Sequence, residues 1–220
     1  MPLNESQLPC LLLGAGGHAK VVIDALRSTG QEILGILAPN MEQGDSLMNV
    51  PVIGGDEIIN QYSKDQVLLI NGVGSLPGKD CRWRISEKYR RKKYQFGQVL
   101  HDKVLVASDV LLASGVQIMS GAIIQTNSKI GLDTIINTGS LIDHDCIIGS
   151  NCHIAPGVSL SGNVTVGNGA HIGTGSTVIQ GVHIGNEVVI AAGTTIYKDI
   201  PDKMFVRMKN QSVIETLRNE

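Results

Sequence analysis

A histidine and an aspartate stand side by side at His144 and Asp145. An imidazole, with an ordinary pKa of about 6.5, can accept a proton at neutral pH. An adjacent carboxylate stabilises the imidazolium that then forms. The pair therefore fits a general base. Cys146 lies two residues from His144, so a Cys–His nucleophile is the alternative chemistry.

Three further histidines follow at His153, His171 and His183, the first two eighteen residues apart. A zinc enzyme of the carbonic anhydrase type needs three such ligands in one cluster. The spacing of these histidines assembles no convincing cluster. We therefore predict no metal site.

A glycine-rich segment at residues 14–20 follows an apolar run and precedes an amphipathic stretch. Gly14, Gly16 and Ala19 fit the loose G-x-G-x-x-G/A pattern, which places a pyrophosphate at a helix N-terminus. The acid that a dinucleotide site needs after the second strand is replaced by residues 38–40, Ala-Pro-Asn. The segment therefore predicts a mononucleotide or nucleotide-sugar site rather than an NAD site, with a ligand-free turn as the alternative.

Sixteen six-residue units run without a gap from Val104 to Asp199. One position of the unit is always aliphatic, and the position two residues earlier is small or β-branched, as in Ala122. Residues two apart on a strand face the same side, so both positions are predicted to point inward. The aliphatic position comprises Val106, Leu112, Ile118, Ile124, Ile130, Ile136, Ile142, Ile148, Ile154, Leu160, Val166, Ile172, Val178, Ile184, Ile190 and Ile196.

Gly, Asn or Asp recurs at the last position of the unit, as in Gly121, Asn127 and Asp133. These residues tolerate positive φ and turn the chain at a corner. Three strands and three corners close a triangular coil, so the repeat predicts about five coils of a parallel β-helix. Cys146 and Cys152 fall at inward positions, which predicts structural thiols and argues against the Cys–His nucleophile.

The first hundred residues alternate between strand and helix patterns, which predicts a small parallel, Rossmann-like α/β sheet. We divide the chain into an α/β domain at 1–101, a β-helix at 102–200 and a tail at 201–220 that forms a short helix from Gln211. The predicted strands are residues 10–14, 33–37, 51–53 and 66–71, and residues 97–101 close the domain. The predicted helices follow the glycine-rich segment and occupy residues 57–62 and 79–94.

The composition excludes several classes of protein. A formal net charge of −2 argues against a nucleic-acid binder. We interpret the basic stretch at residues 82–93 as a solvated helix face. The four cysteines lack metal-ligand spacing, no secretion signal precedes them, and no apolar run is long enough to span a membrane. We therefore expect a reduced, cytoplasmic protein.

The glycine-rich segment, residues 51–55 and 71–74 and the uninterrupted hexads together resemble one bacterial family of hexapeptide-repeat sugar acyltransferases. This family contains the UDP-4-amino-sugar N-acetyltransferases of bacillosamine-type pathways and the sialic acid O-acetyltransferases. The resemblance covers residues 10–200. It implies left-handed winding of the β-helix, assembly as a homotrimer, acetyl-CoA as co-substrate and a sugar or nucleotide sugar as acceptor.

The resemblance also implies roles for individual residues. The stretch at residues 137–145 is similar to the family's catalytic segment, which makes His144 the general base and Asp145 the acid that orients it. The N–H of Gly162 would face the thioester carbonyl as an oxyanion donor. The acetyl-CoA contacts implied are His153, Gly162, Thr174 and Ala192, and the substrate contacts implied are Gly16, Gly17, His18 and Asn137.

Two segments depart from the family pattern. Ala38 and Pro39 stand where the family has an acidic pair that contacts the nucleotide, and residues 206–209 replace a Gly-Val-Pro-Ala sequence. The missing acids favour O-acetylation of a sialic-acid-like sugar, whereas His18 and its loop favour a nucleotide-linked amino sugar. We predict the amino-sugar N-acetyltransferase, with the O-acetyltransferase and a non-catalytic trimeric scaffold as alternatives.

Overall fold

A computed structural model describes residues 8–208. Its first part is a five-stranded sheet with two α-helices, as the alternating pattern predicts. The strands are β1 Cys10–Leu13, β2 Ile33–Leu37, β3 Ser46–Leu47, β4 Val50–Gly54 and β5 Leu68–Asn71, and the helices are α1 Gly17–Ser28 and α2 Cys81–Arg91, with one 3₁₀ turn at Ile58–Gln61.

The sheet has the order β3-β4-β2-β1-β5 and is parallel except at its edge. β1 pairs in parallel with both β2 and β5, whereas β3 forms an antiparallel hairpin with β4. The predicted parallel sheet is confirmed, but the hairpin was not predicted. The chain passes from β1 to β2 on one side and reaches β5 on the other, so β1 ends at a topological switch point.

Two predicted helices are shorter in the structure. The helix predicted at residues 57–62 is the single 3₁₀ turn, and α2 covers only part of residues 79–94. The interpretation of residues 82–93 as a wholly solvated face is wrong at its first residue, because Arg82 is only 6% exposed. Arg82, Ser86 and Tyr89 are the buried residues of α2, at a spacing that places them on one side of the helix.

The predicted parallel β-helix is confirmed in the second part of the chain. Each hexad contributes a two-residue strand that pairs with the strand eighteen residues later, as Ile123 pairs with Leu141. The strands form three sheets of six, five and seven strands. They are β6 Val99–Leu100, β7 Leu105–Val106, β8 Leu111–Leu112, β9 Gln117–Ile118, β10 Ile123–Ile124, β11 Lys129–Ile130, β12 Ile135–Ile136, β13 Leu141–Ile142, β14 Ile147–Ile148, β15 His153–Ile154, β16 Ser159–Leu160, β17 Thr165–Val166, β18 His171–Ile172, β19 Thr177–Val178, β20 His183–Ile184, β21 Val189–Ile190, β22 Thr195–Ile196 and β23 Phe205–Val206.

The β-helix extends beyond residues 102–200 at both ends. β6 pairs with β9, and β23 pairs with β21, so both lie in the seven-stranded sheet. The first residues of the predicted tail therefore continue the β-helix. The helix predicted from Gln211 lies outside the described residues.

The α/β domain packs against the N-terminal end of the seven-stranded sheet, at β6 and β9. Val99 and Met119 of the β-helix are buried in the apolar core that includes β1 and α1. An ion pair of 2.8 Å between Arg90 Nη2 and Asp133 Oδ1 joins the two parts beside this core. Within residues 8–208 no helix is both long enough and apolar enough to cross a bilayer.

Candidate active site

His144 lies at the corner between β13 of the six-stranded sheet and β14 of the five-stranded sheet. Its side chain is 47% exposed, and its Nδ1 lies 2.7 Å from Oδ2 of Asp145. A carboxylate can only accept, so Nδ1 carries the proton and Nε2 is left bare. The hydrogen bond to Asp145 raises the pKa of His144. The pair has the geometry of an oriented general base.

Asp145 is held at this corner by a ladder of polar side chains. It has a φ of +61°, a conformation that Asp and Asn tolerate better than other side chains. Asn127, one coil below, donates through Nδ2 to Oδ1 of Asp145 at 2.6 Å, and its backbone N–H donates to Asp109 at 3.0 Å. The hydrogen bonds from His144 and Asn127 lower the pKa of Asp145, which keeps it ionised.

Gly162 lies one coil above His144, against the imidazole ring. A Cβ at this position would stand 2.6 Å from both Cε1 and Nε2 of His144. The glycine is therefore required by space. No described residue accepts a hydrogen bond from the Gly162 N–H, which leaves this donor free beside the bare nitrogen of His144.

Cys146 points away from this corner into the β-helix. It is fully buried, and its Sγ donates to the carbonyl of Ser161 at 3.3 Å. Buried Ser128 and Ser140 donate to carbonyls fifteen residues ahead in the same manner. Burial raises the pKa of Cys146, so the thiol is a structural element of the repeat.

A second group of predicted residues lies around the seven-stranded sheet. His153 opens β15, and its Nδ1 faces the carbonyl of Ser75 at 3.2 Å while its Nε2 lies 3.1 Å from Nδ2 of Asn137. Both ring nitrogens of His153 are therefore engaged within the chain. The ring stands edge-to-face on His171, with 4.8 Å between centroids. Burial, with smaller contributions from His171 and His18, lowers the pKa of His153 to about 4.

Thr174 and Ala192 are exposed and stack one above the other on successive coils. The N–H of Gly193 donates to the carbonyl of Thr174 at 2.8 Å. Both residues lie at the corner between the seven-stranded and six-stranded sheets, as Asn137 does two coils below. They form the upper part of an open edge that begins beside His153.

The structure therefore divides the predicted site residues into two groups. His144, Asp145 and Gly162 lie at the corner between the six-stranded and five-stranded sheets. In a triangular coil that corner is opposite the seven-stranded sheet, which carries His153 and contacts His18. Within one chain, the corner that carries His144 therefore does not adjoin the sheet that carries His153 and contacts His18.

The glycine-rich segment opens onto a cavity of about 450 Å³ at the carboxyl end of the α/β sheet. Residues 14–16, residues 38–41 and the side chains of Asp56 and Tyr89 line it. Gly16 caps α1 without a side-chain hydrogen bond, so the first N–H groups of the helix are free to bind an anion. A Cβ on Gly16 or Gly17 would meet no atom within 4 Å, which leaves room for a ligand.

His18 turns from this loop toward the β-helix. Its Nε2 lies 2.8 Å from Oε1 of Gln117, and Gln117 Nε2 donates to the carbonyl of Asn71 at 2.8 Å. Burial, with a smaller contribution from Arg82, lowers the pKa of His18 to about 4. His18 is thus a neutral residue at the junction of the two domains.

Sequence reasoning missed the side chains that support His18. Gln117 occupies an outward hexad position, and Arg82 belongs to a stretch interpreted as solvated. Arg82 donates through Nη1 to the carbonyls of Asn71 and Val73 at 2.8 and 2.7 Å. No pattern along the chain indicates these contacts, because they join segments far apart in sequence. Residues 8–208 contain no group of three or more His, Cys, Asp or Glu placed to hold a metal ion.

Three protein-family models match parts of the chain. The family model of the PglD N-terminal domain matches residues 10–89. The model of the bacterial transferase hexapeptide (six repeats) matches residues 163–198, and that of the hexapeptide repeat of succinyl-transferase matches residues 141–173. No curated protein matches the chain.

Several solved structures match nearly the whole chain. A histidine-to-asparagine variant of perosamine N-acetyltransferase from Caulobacter crescentus, in complex with CoA and GDP-perosamine, is 33% identical with a TM-score of 0.82, over 90% of this chain and 92% of that chain. The acetyltransferase domain of PglB from Neisseria gonorrhoeae FA1090, in complex with acetyl coenzyme A, is 30% identical with a TM-score of 0.82, over 90% and 94%. WeeI from Acinetobacter baumannii AYE, at 22% identity and a TM-score of 0.78, shares the fold. The chain belongs to the hexapeptide-repeat sugar acyltransferase family, and it is an acyltransferase.

Proposed function

We propose that the protein transfers an acetyl group from acetyl-CoA to the amino group of a nucleotide-linked amino sugar. The observation that carries this proposal is the His144–Asp145 pair, which is half-exposed and lies against Gly162, whose N–H has no acceptor among the described residues. The cavity beside Gly16 supports a nucleotide as the anchor of the acceptor. The similarity to an enzyme that binds GDP-perosamine and CoA supports the same substrate pair.

The reaction follows from these positions. The neutral amine of the sugar attacks the thioester carbonyl carbon, so that a C–N bond forms and the C–S bond breaks. Nε2 of His144 takes the proton that the nitrogen loses and returns it to the thiolate of CoA. Asp145 stabilises the imidazolium in between, and the Gly162 N–H donates to the carbonyl oxygen as charge develops. The products are an amide and free CoA.

We propose that the enzyme works as a trimer in which two subunits complete each site. The separation of the two residue groups within one chain supports this assembly. The exposed apolar side chains Leu141 and Ile147, 45% and 49% exposed, flank His144 and support a covered surface around it. His144 of one subunit would then face His18, His153 and Thr174 of the next.

Mixed trimers test this assembly. His144→Ala and His18→Ala subunits are denatured together in equal amounts and refolded, and activity is assayed with the acceptor well below its KM, where each variant alone is impaired. If each site takes one group from each of two subunits, roughly a quarter of the sites regain both histidines, and activity returns. Activity no greater than that of the single variants would contradict the shared site.

An O-acetyltransferase of sialic-acid-like sugars is the second candidate. The observation that favours it is the apolar pair Ala38 and Pro39 in the wall of the cavity, where the family has acids for the nucleotide. Release of CoA is measured with acetyl-CoA and a panel of UDP-, dTDP- and GDP-linked 4-amino sugars and free or CMP-linked sialic acids. Release with an amino sugar supports the first function and release only with sialic acids supports the second. Release with neither contradicts both.

The free thiols support action in the reducing cytoplasm. Cys10, Cys81, Cys146 and Cys152 are all unpaired, and reduced cysteines are typical of that compartment. Retention of full activity in glutathione at a cytoplasmic redox poise would agree with this location.

A further inference from the structure

The hydrogen bonds between the two domains have a fixed direction. The carbonyl of Asn71 can only accept, and the nitrogen Nε2 of Gln117 lies 2.8 Å from it. The amide oxygen of Gln117 must then face His18, whose Nε2 is 2.8 Å away. An oxygen can only accept here, so Nε2 of His18 carries the proton and Nδ1 is bare.

His153 is fixed in the opposite tautomer by the loop that follows β5. The carbonyl of Ser75 faces Nδ1 of His153 at 3.2 Å, so this nitrogen carries the proton. Nε2 is then bare and accepts from Nδ2 of Asn137 at 3.1 Å. The last residue of β5 and the loop that follows it therefore set the tautomers of both histidines. His153 has no nitrogen left for a ligand, whereas no described residue donates to Nδ1 of His18.

The surroundings of His18 oppose its protonation. The titratable groups that face it are Arg82 from α2 and His153 from the β-helix. Neither is an anion, and Arg82 carries a positive charge close to the ring. Gly74 also packs tightly on the base of this side chain, since a Cβ there would stand 3.3 Å from Cβ of His18. The ring is thus held in place as a neutral group.

We propose that Gln117 is a positioning residue that presents Nδ1 of His18 as a hydrogen-bond acceptor to the sugar of the bound nucleotide sugar. A hydroxyl or amino group of that sugar donates to Nδ1, and the N-terminus of α1 binds the pyrophosphate instead. This inference rests on the proposed function for the identity of the ligand. In this role neutral His18 accepts a hydrogen bond from an uncharged group of the sugar. A histidine in a glycine-rich phosphate-binding loop would ordinarily be expected to bind phosphate as a cation.

The tautomer is tested without any ligand. Protein labelled with ¹⁵N in histidine gives ring-nitrogen shifts that separate the two neutral tautomers from imidazolium, and His18→Ala identifies the signal. We expect wild-type His18 to be neutral at pH 7 with the proton on Nε2, and Gln117→Leu to lose this fixed state. Gln98→Leu is the matched control, because Gln98 also donates to a β-helix carbonyl, that of Leu112 at 2.8 Å, away from His18. A protonated His18, or a proton on Nδ1, would overturn the proposal whatever the enzyme's activity.

The ligand group is tested by calorimetry without acetyl-CoA. The probes are the nucleotide sugar that scores in the panel and its nucleoside diphosphate, which has the pyrophosphate without the sugar. We expect His18→Ala to weaken the nucleotide sugar about tenfold, as the loss of one hydrogen bond would, and to leave the nucleoside diphosphate unchanged. Equal weakening of both would place His18 on the pyrophosphate and overturn the proposal.

Gln117→Glu supplies a pH signature that a structural role would not produce. Its carboxylate would favour the imidazolium of His18, so Nδ1 becomes a donor as the pH falls through the raised pKa. We expect the nucleotide sugar to bind about tenfold more weakly at the acid end of the range pH 6–8. Tighter binding at acid pH would show that His18 acts as a cation. Silence across the whole acceptor panel would instead contradict the proposed function and leave the tautomer measurement standing.

Discussion

The corner of the β-helix and the junction with the α/β domain place histidines in opposite environments. At the corner, His144 is half-exposed and paired with a carboxylate, and its pKa is raised. At the junction, His18 and His153 are partly buried with no carboxylate partner among the described residues, and burial lowers the pKa of each to about 4. The same side chain is thus prepared to take a proton in one region and to keep a fixed neutral tautomer in the other.

The largest effect expected from this comparison is the loss of His144. His144→Ala removes the proposed general base beside Gly162, and kcat should fall about 10²- to 10⁴-fold. His183→Ala is the matched control, since His183 is an exposed histidine on the outer face of the β-helix. Steady-state kinetics of both variants, with light scattering to confirm an unchanged assembly, make the measurement. Full turnover by His144→Ala would rule out the general-base assignment.

The second effect separates charge from backbone geometry at Asp145. Asn tolerates the φ of +61° as Asp does, so Asp145→Asn removes the charge and keeps the corner. His144 must be neutral to act, so activity falls as the pH drops through its pKa. Without the carboxylate that pKa decreases, and the acid limb of kcat/KM should move to lower pH while the plateau falls about tenfold or more. An acid limb that stays in place would show that another group titrates.

The β-helix was predictable because each hexad repeats a local rule. The inward aliphatics and the Gly, Asn or Asp corners do not depend on distant residues, and strands from β7 to β22 occur where the hexads place them. The pair that we propose as the base was visible for the same reason, since His144 and Asp145 are neighbours in sequence. The hairpin of β3 and β4 was not visible, because its turn uses positive φ at Met48 as well as Asn49, and Met gives no turn signal.

The junction was not predictable from the sequence. His18 and Gln117 are separated by 99 positions, and Gln117 has no feature that distinguishes it from other outward residues. Buried Arg82 donates to the backbone carbonyls of Asn71 and Val73. Because every residue has a backbone carbonyl, the sequence does not indicate which ones Arg82 will contact. Such contacts follow from how the two domains pack. Only the structure therefore shows that His18 and His153 are each held in one tautomer, whereas Nε2 of His144 has no partner within residues 8–208.

A third, smaller effect is expected from the close approach of Gly162 to the imidazole of His144. Gly162→Ala would place a Cβ 2.6 Å from both Cε1 and Nε2 of His144, so the imidazole must move. A small displacement of the proposed base should lower kcat by up to about tenfold. In a His144→Ala background the same change should have little further effect, because the group it displaces is gone. Additive losses in the double variant would mean that Gly162 acts independently of His144.

The smallest effect concerns stability at the junction rather than turnover. Nδ1 of His171 is buried without a partner among the described residues, whereas both nitrogens of the adjacent His153 are paired. His171→Phe keeps a ring against His153 and removes the unpaired nitrogen, so it should stabilise the fold by about 1 kcal/mol. His153→Phe should destabilise it by a similar amount or more, because Ser75 O and Asn137 Nδ2 lose their partner. Thermal unfolding at one fixed protein concentration compares the two variants. A loss of stability in both variants would contradict this prediction. It would mean that the ring of His171 makes contacts that Phe cannot replace, so that its unpaired nitrogen does not distinguish it from His153 in stability.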